Sequence, residues 1–87
     1  ALPKLTEAQA LARSSAAKQE AVNAAKTCTI ALIAENEASA DVAAVTTGDI
    51  TNTATTCGDT AAYAFTGGDD TWTVTLEDGV AGIPVKS

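Results

Sequence analysis

The chain has 87 residues, a net charge of −6 and a pI near 4.2, which bounds it to one small domain, residues 1–87, whose core needs a staple. It contains no His and no apolar run long enough to span a membrane, so His-based catalysis and zinc chemistry are excluded and the sequence reads as a soluble chain. The charge is divided: Lys4, Arg13, Lys18 and Lys26 against Glu7 and Glu20 make residues 1–27 basic, whereas residues 28–87 set Lys86 against nine carboxylates. An acidic region of this kind argues against direct nucleic-acid or anionic-lipid binding, which needs clustered Lys and Arg. A basic rod joined to an acidic head suits head-to-tail stacking of copies; ordinary solubility charge is the plainer alternative.

Residues 1–36 predict one long helix. Eleven of the twenty alanines lie there, and its only proline, Pro3, sits in the first turn, where the missing N–H costs no intrahelical bond. At 1.5 Å per residue such a helix runs about 50 Å, more than the rest of the chain can cover. At 100° per residue Ala21, Val22, Ala25, Thr29, Leu32 and Ile33 share a face, with Arg13, Glu20, Asn23 and Thr27 opposite. Leu2, Leu5, Ala8, Ala12 and Ala16 gather on another face, rotated by more than a quarter turn. The second half is expected to pack on this chain's own head and the first half on another molecule. The alternative is a frayed, solvated extension over residues 1–15.

Glu35-Asn36-Glu37 ends the alanine-rich stretch, with Asn36 as the expected helix stop. Residues 37–60 read as a Thr-rich αβ-loop, with seven Thr from Thr46 to Thr60 and Val42 and Val45 to tack it down. Dense Thr is a possible acceptor of O-linked sugar, and plain solvation is the simpler reading. Cys28 on the helix and Cys57 at the far end of this loop are not spaced as a CxxC pair. In a small, weakly cored domain they read as a disulfide made in the periplasm or outside the cell; two buried thiols in a cytosolic protein are the alternative.

Residues 61–87 read as a β-meander. Ala61, Tyr63 and Phe65 alternate with Ala62, Ala64 and Thr66, and Trp72, Val74 and Leu76 alternate with Thr71, Thr73 and Thr75. Gly67-Gly68-Asp69-Asp70 forms the hairpin loop between them, and Asp78-Gly79 turns the chain into a third strand over Val80–Val85, kept at an edge by Pro84. The expected fold is α+β: a long N-terminal helix, a loop, and a three-stranded antiparallel meander on the C-terminal half of the helix. Val22, Ala25, Leu32, Ile33, Tyr63, Phe65, Trp72, Val74 and Leu76 form its core.

No catalytic constellation stands out, for neither cysteine nor Ser14 or Ser15 has a base within the sequence pattern, and no enzyme activity or cofactor is expected. Asp69-Asp70 and Glu77-Asp78 lie at successive turns and read as solvated edges, with Ca²⁺ held by one of the pairs as the sharper alternative.

This order of helix, αβ-loop and antiparallel sheet, entered through Ala1-Leu2-Pro3 and an alanine-rich amphipathic continuation, resembles the globular portions of type IV pilins and the related pseudopilins over essentially all 87 residues. The resemblance implies a soluble fragment lacking the family's apolar N-terminal segment. The complete subunit would sit in the inner membrane by that segment alone, be processed and methylated by a prepilin peptidase, and polymerise with other copies through the assembly machinery into an extracellular fibre. Leu2, Leu5, Ala8, Ala12 and Ala16 would be the subunit-packing face, and the fibre would serve adhesion, motility, surface colonisation or DNA uptake. Two features depart from the family pattern. No cysteine lies in the last 30 residues, so the family's adhesive C-terminal disulfide loop has no counterpart, and the head is small. A type II secretion pseudopilin and a small secreted binding module that meets its ligand through the Thr-rich loop are the alternatives.

Overall fold

The computed structural model describes the backbone of residues 2–87 and the side chains of residues 7–87. One helix, α1 (Leu2–Ile33), lies across an antiparallel sheet, and the molecule is 51 Å long, about the ~48 Å expected of 32 helical residues. The sheet holds β1 (Ile50–Asn52), β2 (Ala62–Gly67), β3 (Asp70–Glu77), β4 (Val80–Ala81) and β5 (Val85–Lys86). Its order is β1-β2-β3-β4, and β5 also pairs with β3.

The expected meander therefore needs two corrections. The third strand is broken, because Gly82, Ile83 and Pro84 interrupt it and leave two short pieces, Leu76↔Ala81 and Thr73↔Val85, one after the other along β3. Proline has no N–H for the ladder, so pairing resumes only after it. The Thr-rich stretch is also not all loop. Thr51 pairs with Thr66, and Val42↔Thr55 and Val45↔Asn52 bridges fold the segment into an irregular hairpin beside the sheet. Thr is β-branched and fits a pleated, half-buried surface even without alternation in the sequence.

The helix meets the sheet along its smallest side chains. Ser14, Ala17, Ala21, Ala25, Cys28 and Ala31 recur at steps of three and four, and all are buried. Tyr63, Phe65, Val74 and Leu76, from the inward faces of β2 and β3, fill the space opposite. Full burial of each such large side chain contributes about 1.5–3 kcal/mol. Val22, Leu32 and Trp72 flank this core, half-buried. Ile33 does not belong to it: the side chain is 80% exposed, since the contact line follows the alanines and leaves position 33 roughly a third of a turn away at 100° per residue.

The head also covers more of the helix than its C-terminal half. Gly67 and Gly68, at the β2–β3 turn, lie directly on the backbone of Arg13 and Ala10, where a Cβ on either glycine would overlap a helix carbonyl. Gly68 has φ 60, as the first position of a two-residue type II′ hairpin requires. Gly67 and Asp70, expected in the loop, form its closing rung. Asp78-Gly79, both at positive φ, makes the second tight hairpin as expected.

The helix ends at Ile33 in a Schellman arrangement. Glu35, at φ 57, is the left-handed residue, the Asn36 N–H donates to the Ala31 carbonyl at 2.8 Å and the Glu35 N–H to the Leu32 carbonyl at 3.2 Å. Asn36, the expected stop, thus sits one position past the left-handed residue. A short 3-10 turn, Glu37–Ala40, follows.

Cys28 and Cys57 are joined by a disulfide, with their Cα atoms 5.5 Å apart and 29 residues between them in sequence. Both cysteines are buried. The Asp41 carboxylate accepts the Cys57 N–H at 2.9 Å, and the Tyr63 hydroxyl donates to the Ala40 carbonyl at 3.1 Å, so the segment after the helix is pinned at both ends of the 3-10 turn's exit.

Replacing both cysteines by Ala should lower stability in urea unfolding by about 3–4 kcal/mol, the loop-closure value for a ring of this size. Unreduced, denatured protein should take up no alkylating reagent. Gly67→Ala should cost about 1–3 kcal/mol by overpacking against the Arg13 carbonyl. Gly58→Ala, where an added Cβ meets nothing within 4 Å, should stay within about 0.5 kcal/mol of wild type in the same measurement.

Candidate assembly interface

The β2–β3 turn, at one end of the sheet, rests on the helix at Ala10, and Glu7, one turn earlier, still shares a groove with Asp69 and Asp70. On the side away from the sheet, Ala8, Ala12, Ser15, Ala16, Gln19 and Asn23 are exposed and uncharged. A solvent-facing helix surface normally carries its charged residues there. Over residues 7–23 they sit at the flanks, with Glu7 and Lys18 to one side and Arg13 and Glu20 to the other, by the 100° rule, and charge returns to this side only at Lys26. Ala8, Ala12 and Ala16, expected to face other subunits, are at the surface; the side chains of Leu2 and Leu5 lie outside the described residues.

A polar clamp holds this part of the helix to β3. Ser14, only 5% exposed, donates its hydroxyl proton to the Asp70 carboxylate at 2.7 Å and accepts the Trp72 indole N–H at 2.9 Å. The Lys18 ammonium stands 4.9 Å from the centre of the Trp72 ring, a cation–π contact. Ser14 has a carboxylate partner but no proton-accepting imidazole, so the cluster fixes the helix against the strand and offers no activated nucleophile. Sequence reasoning passed over Ser14 as a packing residue, although it falls on the same three- and four-residue line as Ala17 and Ala21. On the opposite flank Arg13 pairs with Asp49 at 3.5 Å, the one ion pair among the described side chains. Both groups are well exposed, so the pair contributes at most about 1 kcal/mol. It nevertheless directs one helix cation to the chain's own head.

Among the described residues seven large apolar side chains are exposed: Leu11, Ile30, Ile33, Val45, Val80, Ile83 and Val85. Three surface grooves use them, two beside the helix and one, with Val45, on the sheet. One, about 390 Å³, lies between the helix and the β2–β3 turn and is lined by Glu7, Ala10, Leu11, Asp69 and Asp70. The other, about 350 Å³, lies between the helix and β4 and is lined by Lys26, Thr29, Ile30, Val80 and Ala81. A third, on the outer face of the sheet, is neutral and hydroxyl-rich, with Thr46, Thr51, Thr66 and Thr71 among its walls. Isolated exposed aliphatics are weak signals in a sequence, and neither apolar groove was legible there, because each joins a helix to a distant strand turn.

Asp69-Asp70 and Glu77-Asp78 stand at opposite ends of β3, and among the described residues no group of three acidic or cysteine side chains is placed to hold a metal ion. Among the same residues no helix is long and apolar enough to cross a membrane. Comparison with protein-family models, with curated proteins and with solved structures gives no match.

Burial, and secondarily the Asp41 carboxylate, pushes the Tyr63 phenol above its ordinary value. The folded state then holds its proton at a pH where the unfolded chain has released it. Stability from this residue is complete below about pH 10 and falls as pH rises beyond it. Thermal unfolding from pH 8 to 11 should show the melting temperature of wild type dropping relative to Tyr63→Phe above pH 10. At neutral pH the variant should be the less stable by about 0.5–1.5 kcal/mol, for the lost bond to Ala40.

Proposed function

We propose that this chain is the head and helix of a type IV pilin-like structural subunit, which polymerises with copies of itself through its N-terminal helix. One observation carries the reading: a 32-residue helix that keeps an exposed, uncharged surface of small side chains over Ala8, Ala12, Ser15 and Ala16. Small side chains let neighbouring helix backbones approach closely, and the absence of charge removes the desolvation cost of burying that surface. The two-layer arrangement, a long helix on an antiparallel sheet stapled by a disulfide, is compatible with a pilin-like head. In this reading the acidic head faces outward from an extracellular fibre, and the subunit waits in the inner membrane before assembly, held by an apolar segment ahead of Ala1.

A pseudopilin shares the same architecture, and the smallness of the head favours it over a large major pilin. Location separates the two: an abundant extracellular filament belongs to a pilin, and a subunit confined to the cell envelope to a pseudopilin.

Filaments sheared from the native cells should contain peptides of this chain, with an apolar segment of about 20 residues ahead of Ala1 on N-terminal sequencing. Ala12→Glu should abolish filaments while the melting temperature of the isolated chain changes by no more than about 2 °C, since position 12 is exposed. Finding that the native chain begins at Ala1 and enters no filament would overturn the proposal.

A further inference from the structure

The two apolar grooves on the helix are opposite in the sign of their rims. Leu11 is 69% exposed and stands among three carboxylates, Glu7, Asp69 and Asp70. Ile30 and Val80, 66% and 62% exposed, form the walls of the other groove, and Lys26 stands at its rim. One groove carries an exposed leucine among carboxylates, the other exposed aliphatic walls beside a cation. Nineteen residues separate Leu11 from Ile30 along one straight helix, about 28 Å at 1.5 Å per residue, so the two cannot meet within a chain.

We infer that Leu11 of one copy seats in the Ile30–Val80 groove of a second copy, with Lys26 of the second facing Glu7 and Asp69 of the first. This rests on the self-assembly proposed above and names the contact. Charge complementarity selects the occupant, because a purely apolar partner would leave the carboxylate collar facing nothing, whereas another copy supplies the ammonium at the rim. Among the described helix cations, Arg13 and Lys18 are turned to the chain's own Asp49 and Trp72, whereas Lys26 stands at an open apolar groove. The Leu11 surface and the Ile30–Val80 groove are different surfaces, so the contact is heterologous: each added copy presents a free one of the two to the next, and the series stays open. The ionic part is exposed and weakens as salt rises.

The test places a benzophenone amino acid at position 11 of the full chain and illuminates an equal mixture of ¹⁵N-labelled and unlabelled protein, in solution and in sheared filaments. The expected result is mixed-isotope cross-links from position 11 to Ile30, Val80 or their immediate neighbours, falling at least fivefold in 0.5 M salt and in Lys26→Glu. Combining Lys26→Glu with Asp69→Lys, which swaps the two signs, should restore at least half the yield. Cross-links confined to single chains, mixed-isotope links to other surfaces, or a yield indifferent to Lys26→Glu would each overturn the contact. Filaments that form with links elsewhere reject this contact and leave the fibre reading standing. The expected links without any filament keep the contact and reject the fibre.

Discussion

The close approach of the helix to the sheet is the constraint on which the other features depend. Ala17, Ala21, Ala25, Cys28 and Ala31 bring little volume to the contact, so the sheet must lie near the helix axis and supply the bulk from Tyr63, Phe65, Val74 and Leu76. Larger residues at the seam would lift the sheet and empty the space around those four. The same closeness lets Gly67 and Gly68 rest on the helix backbone and brings Trp72 within hydrogen-bonding distance of Ser14. It also sets the two sulfurs at bonding distance. With only three aromatic residues in the chain, the core is thin, and the disulfide and the Ser14 clamp fix what dispersion alone holds weakly.

Much of this was legible in the sequence where periodicity is strong. The long helix, the two central strands and both hairpin turns follow from alanine content, two-residue alternation and glycine placement. The bridge between Cys28 and Cys57 follows from the size of the domain and the absence of metal-binding spacing. The misreadings share a cause. Ile33 was expected in the core because it shares a 100° face with Val22, Ala25 and Leu32, yet the buried line follows Ala17, Ala21, Ala25, Cys28 and Ala31, about a third of a turn away. The strand at Ile50–Asn52 was invisible because its residues do not alternate, and it exists only because Thr66 and Phe65 offer an edge to pair with. Grooves built from a helix and a distant turn leave no local trace.

The distribution of charge has two levels. Over the whole chain it separates a basic N-terminal third from an acidic remainder, which reads as polarity along the rod. At the level of side chains part of that polarity is spent internally, in the Arg13–Asp49 pair and in Lys18 over Trp72. The residues that stay outward are a neutral helix surface and two apolar grooves with opposite ionic rims. A molecule arranged for solubility alone would place its charge on the neutral strip and its aliphatic residues under the sheet. Here the arrangement is reversed along one side, and the reversal is the physical basis for reading the chain as a subunit.

The covalent bridge also defines how the molecule carries load. Pulled by the end of its helix, the chain transmits tension along the backbone only as far as Cys28. From there the shortest inextensible route to the rest of the head runs through the two sulfurs to Cys57. Residues 29–56, with the 3-10 turn, the Thr-rich hairpin and the first strand, lie on a slack parallel branch. A break anywhere in that branch, by force or by protease, leaves helix and head a single mechanical body. This segment can therefore vary in sequence and length without becoming the weakest link when the molecule is under tension.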